Sequence, residues 1–278
     1  MQRIFVGDVQ GCADELGELV QRARDAFGGD FELWLVGDLV NRGPASLRVL
    51  ELVRSLADAG RARFVLGNHD LSLLRVANGQ RSYAFDDSFR DVLEAGGDWL
   101  DWMRTQPLVL PGRIGQRRFA MLHAAAIPGW SLDALCERVR RVEERLGGSP
   151  KDAKRLLGAR PEDDEDAEFL ARLTRCRSID ERGRWSSRTP RAPRDAWHAR
   201  WRAEKPDFGV VYGHWATQRL HVAPLLRGLD TGCVYQGLWG DRFLTAWLPV
   251  QDAEDPFATP DEGFWRIAAR AQYLHDPG

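Results

Sequence analysis

Five short apolar runs in this chain each stop at a side chain able to hold a metal ion. Arg3 to Val6 leads into Gly7-Asp8, and Leu33 to Val36 into Gly37-Asp38. Phe64 to Leu66 leads into Gly67-Asn68-His69-Asp70, Phe119 to Leu122 into His123, and Gly209 to Tyr212 into Gly213-His214. Carboxylate, amide and imidazole donors without thiolate suit Mn, Fe, Co or Zn. Asp8, Asp38, Asn68, His123 and His214 are more than one structural ion needs. A two-metal centre with one bridging aspartate fits them better, and two such ions clamp the attacking and leaving oxygens of a phosphoryl transfer. Taken singly, Gly-Asp after a strand is most often a turn or a cap, and a lone histidine a satisfied structural residue. Five such strand ends in one chain are what point to a site, with the donors gathered at one edge of a sheet.

The elements that must position them follow from periodicity. Strand and helix alternate over residues 1 to about 128, which predicts a mainly parallel sheet covered by helices. Leu16, Leu19, Val20 and Ala23 recur at helical spacing within a helix from about Asp14 to Ala26. Pro44 is expected to open a second helix, with Val49, Leu50 and Val53 on its apolar face and Gly60 at its end. A third helix is expected from Asp70 to Ala77 and a fourth from about Phe89 to Met103. Residues 131–205 differ: Ser131 reads as a helix cap, Gly147-Gly148 as a stop, and an acidic run precedes a stretch dense in Arg and Trp. This predicts a helical lobe inserted over the site within a single domain spanning 1–278. From Phe208 strand signal returns in four short runs, expected to be antiparallel.

Composition narrows the class. The 278 residues are 44% apolar with a net charge of −2, so no global basic field attracts nucleic acid or an acidic membrane. Four scattered cysteines with no CxxC pair argue against a zinc knuckle or disulfide framework and suit a reducing compartment. No apolar run spans a bilayer, and the N-terminus lacks a signal-peptide layout. A cytoplasmic protein with no membrane association and no obligate protein partner is expected.

Taken together, GDVQGC at 7–12, GDLVNRGP at 37–44, GNHD at 67–70, His123-Ala124 and GHW at 213–215 resemble the ordered motifs of the phosphoprotein-phosphatase-type (calcineurin-like) metallophosphoesterases. LGNHDLSLL at 66–74, QPL at 106–108, Thr174-Arg175-Cys176-Arg177 and LDTGC at 229–233 are similar to the bacterial symmetrical diadenosine tetraphosphatases within that group. The resemblance spans nearly the whole chain. It implies an α/β fold, a β-sandwich flanked by helices, and a metal-bridging hydroxide that attacks phosphorus to give two ADP. It implies two divalent ions, Mn or Co first, with Fe or Zn as alternatives. Asp38 would bridge them, Asp8 and Gln10 would complete one site, and Asn68, His123 and His214 the other. Arg42 would hold the phosphoryl oxygens, and His69 would protonate the leaving group. Asn41, Arg175 and Arg177 would meet the substrate, a dinucleoside polyphosphate, with capped RNA 5′ ends as a further substrate class. Trp130, Trp185, Trp197, Trp201 and Trp215 are candidates to stack on adenine. Asp230-Thr231-Gly232 would support the site by hydrogen bonds from behind the ligands.

Three departures stand out. Gln10 occupies a position where the family often has His, Ala125 one where Gly usually follows His-Ala, and Asn41 one where protein phosphatases carry Asp. A departing ADP is far less basic than a serine alkoxide, so loss of an Asp–His pair is more tolerable for a dinucleotide. The competing expectations are a protein phosphatase on the same scaffold and a nucleotide-binding protein without turnover.

Overall fold

The computed structural model describes residues 1–257 and 263–274. Two five-stranded sheets pack face to face. The first contains β1 (Gln2–Val6), β2 (Phe31–Leu35) and β3 (Ala62–Phe64), all parallel. The second contains the hairpin β4 (Val109–Ile114) and β5 (Arg117–Leu122). A small ribbon, β6 (Ser178–Ile179) with β7 (Trp185–Ser186), lies in the Arg-rich segment. The chain then adds β8 (Gly209–Tyr212), β9 (His221–Ala223) and β10 (Leu226–Gly228) to the second sheet. It returns β11 (Phe243–Trp247) and β12 (Phe264–Ala268) to the first. The strand orders are β12-β11-β1-β2-β3 and β4-β5-β8-β10-β9.

Alternation along β1 explains the sandwich. Ile4 and Val6 face the helical layer, while Phe5 points into the inter-sheet core. There it meets Phe119 of β5 edge-on at 5.3 Å, and Trp34 and Trp247 of its own sheet. Each such ring, fully buried, contributes about 1.5–3 kcal/mol.

Helices cover the outer faces. They are α1 (Ala13–Phe27), α2 (Ser46–Asp58), α3 (Asn68–Ala77), α4 (Arg90–Ala95) and α5 (Gly97–Arg104). Between β5 and β8 lie α6 (Leu132–Gly147), α7 (Pro150–Gly158), α8 (Glu165–Arg175) and α9 (Trp197–Ala203). The Ser131 hydroxyl caps α6 by accepting from Ala134 N at 3.2 Å.

Four expectations change. Helix α2 begins at Ser46, two residues beyond Pro44. Helix α3 begins at Asn68 rather than Asp70, so Asn68 and His69 lie on its first turn. The predicted helix 89–103 breaks at Gly96, whose φ of +92° is outside the helical region. The C-terminal strands are not all antiparallel. The chain crosses to the sheet edge before β9 and turns back, which leaves β10 parallel to β8, while β11 joins the other sheet beside β1.

Candidate metal centre

The five donor-bearing runs end at one cleft, but not at one edge of one sheet. β1, β2 and β3 reach it from the first sheet, and β5 and β8 from the second. Donor atoms of Asp8, Asp38 and His123 all lie within 4.8 Å of one another. Asp38 Oδ1 is 3.4 Å from His123 Nε2 and accepts the His69 backbone N–H at 2.8 Å, so its charge sits at the N-terminus of α3. The Asp8 carboxylate accepts His214 N at 3.1 and 3.2 Å.

The glycines before two of the donors, Asn68 and His214, have a local reason. A side chain at Gly213 would collide with the Asp8 carboxylate, and one at Gly67 with that of Asp38. Each glycine therefore makes room for a donor on another strand, which locks the segments together. Five site residues other than glycine also hold positive φ: Gln10 at 47°, Asp38 at 50°, Asn41 at 80°, Arg42 at 66° and His214 at 69°.

The donor set suits a cation. Burial pushes the Asp8 carboxyl well above its ordinary range, with Asp230 and Asp38 adding to the rise. Burial likewise lifts Asp230 to about 6. Burial opposes ionisation of Asp38 too, but His123 and His69 outweigh it and hold that carboxyl low. His123 Nδ1 donates to Val36 O at 2.9 Å and His214 Nε2 to Arg175 O at 3.1 Å. Each ring therefore turns its other nitrogen into the cleft. Asn68 lies between them, its amide 3.2 Å from His123 Nε2 and 2.7 Å from His214 Nδ1. With the amide nitrogen turned in, Asn68 donates to both rings. With its oxygen turned in, three acceptors converge beside three buried carboxylates, an arrangement stable only around positive charge.

Asp70 holds this loop, a role the sequence did not reveal. Fully buried, it accepts from Asp38 N at 2.9 Å, Gly67 N at 2.8 Å and Leu39 N at 3.0 Å. Asp70→Ala leaves these three buried N–H groups, and that of Val40 at 3.4 Å, without their acceptor. It is expected to cost about 3 kcal/mol or more in urea unfolding, with Asp70→Asn retaining part. A loss below about 1 kcal/mol would remove Asp70 from this role.

His69 is held in one tautomer. Asn41 Oδ1 accepts from Arg42 N at 2.8 Å and Ser88 N at 2.9 Å, which fixes the amide. Its Nδ2 then donates to Asp87 Oδ1 at 2.9 Å and to His69 Nδ1 at 3.0 Å. His69 Nδ1 is thus an acceptor, and the ring hydrogen is on Nε2. Burial lowers the His69 pKa, with Arg42 and His123 acting against Asp38 and Asp87. Asn41, expected to touch substrate, is 1% exposed with its oxygen and both amide hydrogens engaged inside the protein. The Arg42 guanidinium pairs with Asp86.

The cleft opens as a cavity of 260 Å³ lined by Gln10, Asp38, Asn68, His69 and His214 together with Arg177. Arg177 is anchored by Ser187 O at 2.8 Å and His214 O at 2.9 Å, whereas the exposed Arg175 contributes its carbonyl to His214. Asp230 lines the cavity directly instead of standing behind the ligands. Of the five tryptophans expected near adenine, Trp197 and Trp201 are core residues and Trp215 is buried. Trp130 stacks on Phe169, and Trp185 donates to Glu168. The aromatic residues that do line the cavity are Tyr235 and Trp239, which the sequence did not single out. The signal available was Gly-Leu-Trp-Gly just beyond LDTGC.

The chain resembles known proteins over most of its length. Residues 1–218 match the calcineurin-like phosphoesterase family model. A protein from Aromatoleum aromaticum named bis(5′-nucleosyl)-tetraphosphatase, symmetrical, is 38% identical, covering 87% of this chain and 91% of its own. One of the same name from Vibrio cholerae is 36% identical, covering 90% and 100%. A crystal structure assigned provisionally to a diadenosine tetraphosphatase superposes with a TM-score of 0.62 at 24% identity, covering 96% of this chain and 93% of that one.

Proposed function

The chain belongs to the calcineurin-like phosphoesterase family, and from that premise we propose that it hydrolyses diadenosine tetraphosphate symmetrically, adding one water to give two ADP. Relatives that match it over most of its length carry the name of that activity. Within the site, the observation that carries the reading is the Asn41–His69 hydrogen bond.

We assign Asp8, Gln10 and Asp38 to one ion and Asp38, Asn68, His123 and His214 to the other. Two divalent ions, Mn or Co first, would there neutralise phosphate charge and bring the pKa of a water towards neutrality. The protein's own residues do the rest. Arg177, pinned by two carbonyls, presents a pre-set fork to a phosphate. Arg42 exchanges Asp86 for the non-bridging oxygens of the attacked phosphorus. Neutral His69 offers Nε2–H to the departing oxygen. That bond is sufficient for ADP, whose terminal phosphate is a weak base, and insufficient for an alkoxide. Arg177 rather than Arg175 is the phosphate contact of the lobe.

No helix among the described residues is long and apolar enough to cross a membrane. Four cysteines without disulfides support placement in a reducing cytoplasm.

The test is turnover of diadenosine tetraphosphate with Mn²⁺ or Co²⁺ and separation of the products. ADP alone is expected, and release of capping nucleotide from a dinucleoside-capped RNA would extend the substrate class. ATP with AMP would overturn symmetric cleavage. Turnover of phosphopeptides without the dinucleotide would assign the site to a protein phosphatase.

A further inference from the structure

Beside the metal donors the cavity carries an aromatic pair. Tyr235 and Trp239 stack with ring centroids 4.0 Å apart and planes 14° from parallel, and both line the same cavity as Asp38, Arg177 and His214. Trp239 is 38% exposed. Among the described residues the other exposed large apolar side chains are Met1, Phe85 and Val250, none of which lines that cavity. An indole left in water costs hydrophobic stabilisation, and this one sits where phosphates are expected to bind.

The pair is built rather than incidental. Trp239 N donates to Tyr235 O at 3.2 Å, which folds the short loop back on itself. Arg242, 5% exposed, donates from Nη2 to Trp239 O at 3.0 Å and from its backbone N to Gln236 Oε1 at 2.6 Å. Its guanidinium lies 5.5 Å from the Trp239 ring centre. The loop sits directly after Asp230 and Gly232, so the strand end that places Asp230 in the cavity also places these rings. The Tyr235 phenol, pushed up to about 12 mainly by burial, is within electrostatic reach of Arg42, Asp230 and Asp38.

We propose that the Tyr235–Trp239 stack is the platform for a purine base of the nucleotide whose phosphates lie at the metal donors. The inference rests on the dinucleotide reading above and identifies the feature that selects a nucleotide over a bare polyphosphate. Arg177, Tyr235 and Trp239 line the same 260 Å³ cavity, so a nucleotide whose phosphate meets Arg177 meets these rings as its aromatic neighbours. Base–aromatic stacking tolerates any base but strengthens with ring size, so purines gain most.

The test compares binding of ADP and of pyrophosphate to the Mn²⁺-loaded protein by calorimetry, with turnover of diadenosine tetraphosphate measured alongside. Trp239→Ala is expected to weaken ADP at least about tenfold more than pyrophosphate, and Trp239→Phe to regain most of the difference. KM for the dinucleotide should rise with kcat little changed. Equal losses for the two ligands, or no loss for ADP, would overturn the platform. Failure of the wild-type protein to cleave the dinucleotide would overturn the parent reading alone, because the ADP-to-pyrophosphate ratio is measured without turnover.

Discussion

Asp8→Asn is expected to lower kcat/KM by about a thousandfold and at the same time to make the metal-free protein harder to unfold. The first effect follows from its place. Loss of a group that merely supports a ligand typically costs 10–100-fold, and Asp8 is assigned as a donor itself, within 4.8 Å of Asp38 and His123 donor atoms. The second follows from charge. Burial, Asp230 and Asp38 raise the Asp8 carboxyl well above its unfolded value. A raised carboxyl contributes fully to stability below the unfolded value near pH 4 and loses that contribution as pH climbs through the folded one. Ionising this carboxyl in the folded state is therefore a cost when no cation is present. Asparagine keeps an acceptor for His214 N and carries no charge. The melting temperature without metal should rise by about 2–4 °C per kcal/mol of repulsion removed, and its decline as pH climbs above the unfolded carboxyl value should flatten. Added Mn²⁺ should stabilise the variant much less than wild type. Equal loss of melting temperature with and without metal would place Asp8 in a purely structural role.

Asn41→Asp is expected to shift the balance between leaving groups. The wild-type amide donates to His69 Nδ1, which opposes a second proton on the ring. Aspartate there would accept that proton, favour the imidazolium and turn His69 into a true acid. The ratio of kcat/KM for a phosphoserine peptide or aryl phosphate to that for diadenosine tetraphosphate should rise about tenfold or more. The change has a structural cost, because Asn41 Nδ2 lies 2.9 Å from Asp87 Oδ1 and a carboxylate would face a carboxylate. Adding Asp87→Asn should recover part of the lost stability, although Arg81, bound to Asp87 at 2.7 and 2.9 Å, loses its ion pair. An unchanged ratio in both variants would separate Asn41 from leaving-group choice.

The strand ends were legible because a buried strand is a short apolar run and a glycine must follow wherever another strand's carboxylate lies against the backbone. What periodicity cannot carry is the identity of a strand's neighbour. β10 and β11 read alike in sequence, yet β10 pairs β8 and β11 pairs β1. The direction of a hydrogen bond is equally invisible. Asn41 could be named from its motif, but its link to Asp87, 46 residues away, exists only after α4 folds beside α2. In sequence Asp70 shows only as a helix start, because the N–H groups that donate to it lie about 30 residues earlier in the chain. Tryptophan content misled for a related reason: Trp197 and Trp201 serve the core, and composition does not say which indole reaches water.

The backbone at the site sets a direction of evolutionary drift. Gln10, Asp38, Asn41, Arg42 and His214 all adopt the left-handed conformation, which costs a residue bearing a Cβ about 1–2 kcal/mol. On backbone grounds alone glycine would fit each position more easily, set against the hydrogen bonds that Asp38 and Asn41 would give up. Random substitution thus meets a backbone incentive to erase these side chains one at a time. A lineage released from selection for turnover should therefore accumulate glycine at these five positions first. It would keep the sandwich while losing the centre, and a homologue glycine-rich at these loops is best read as a retired enzyme.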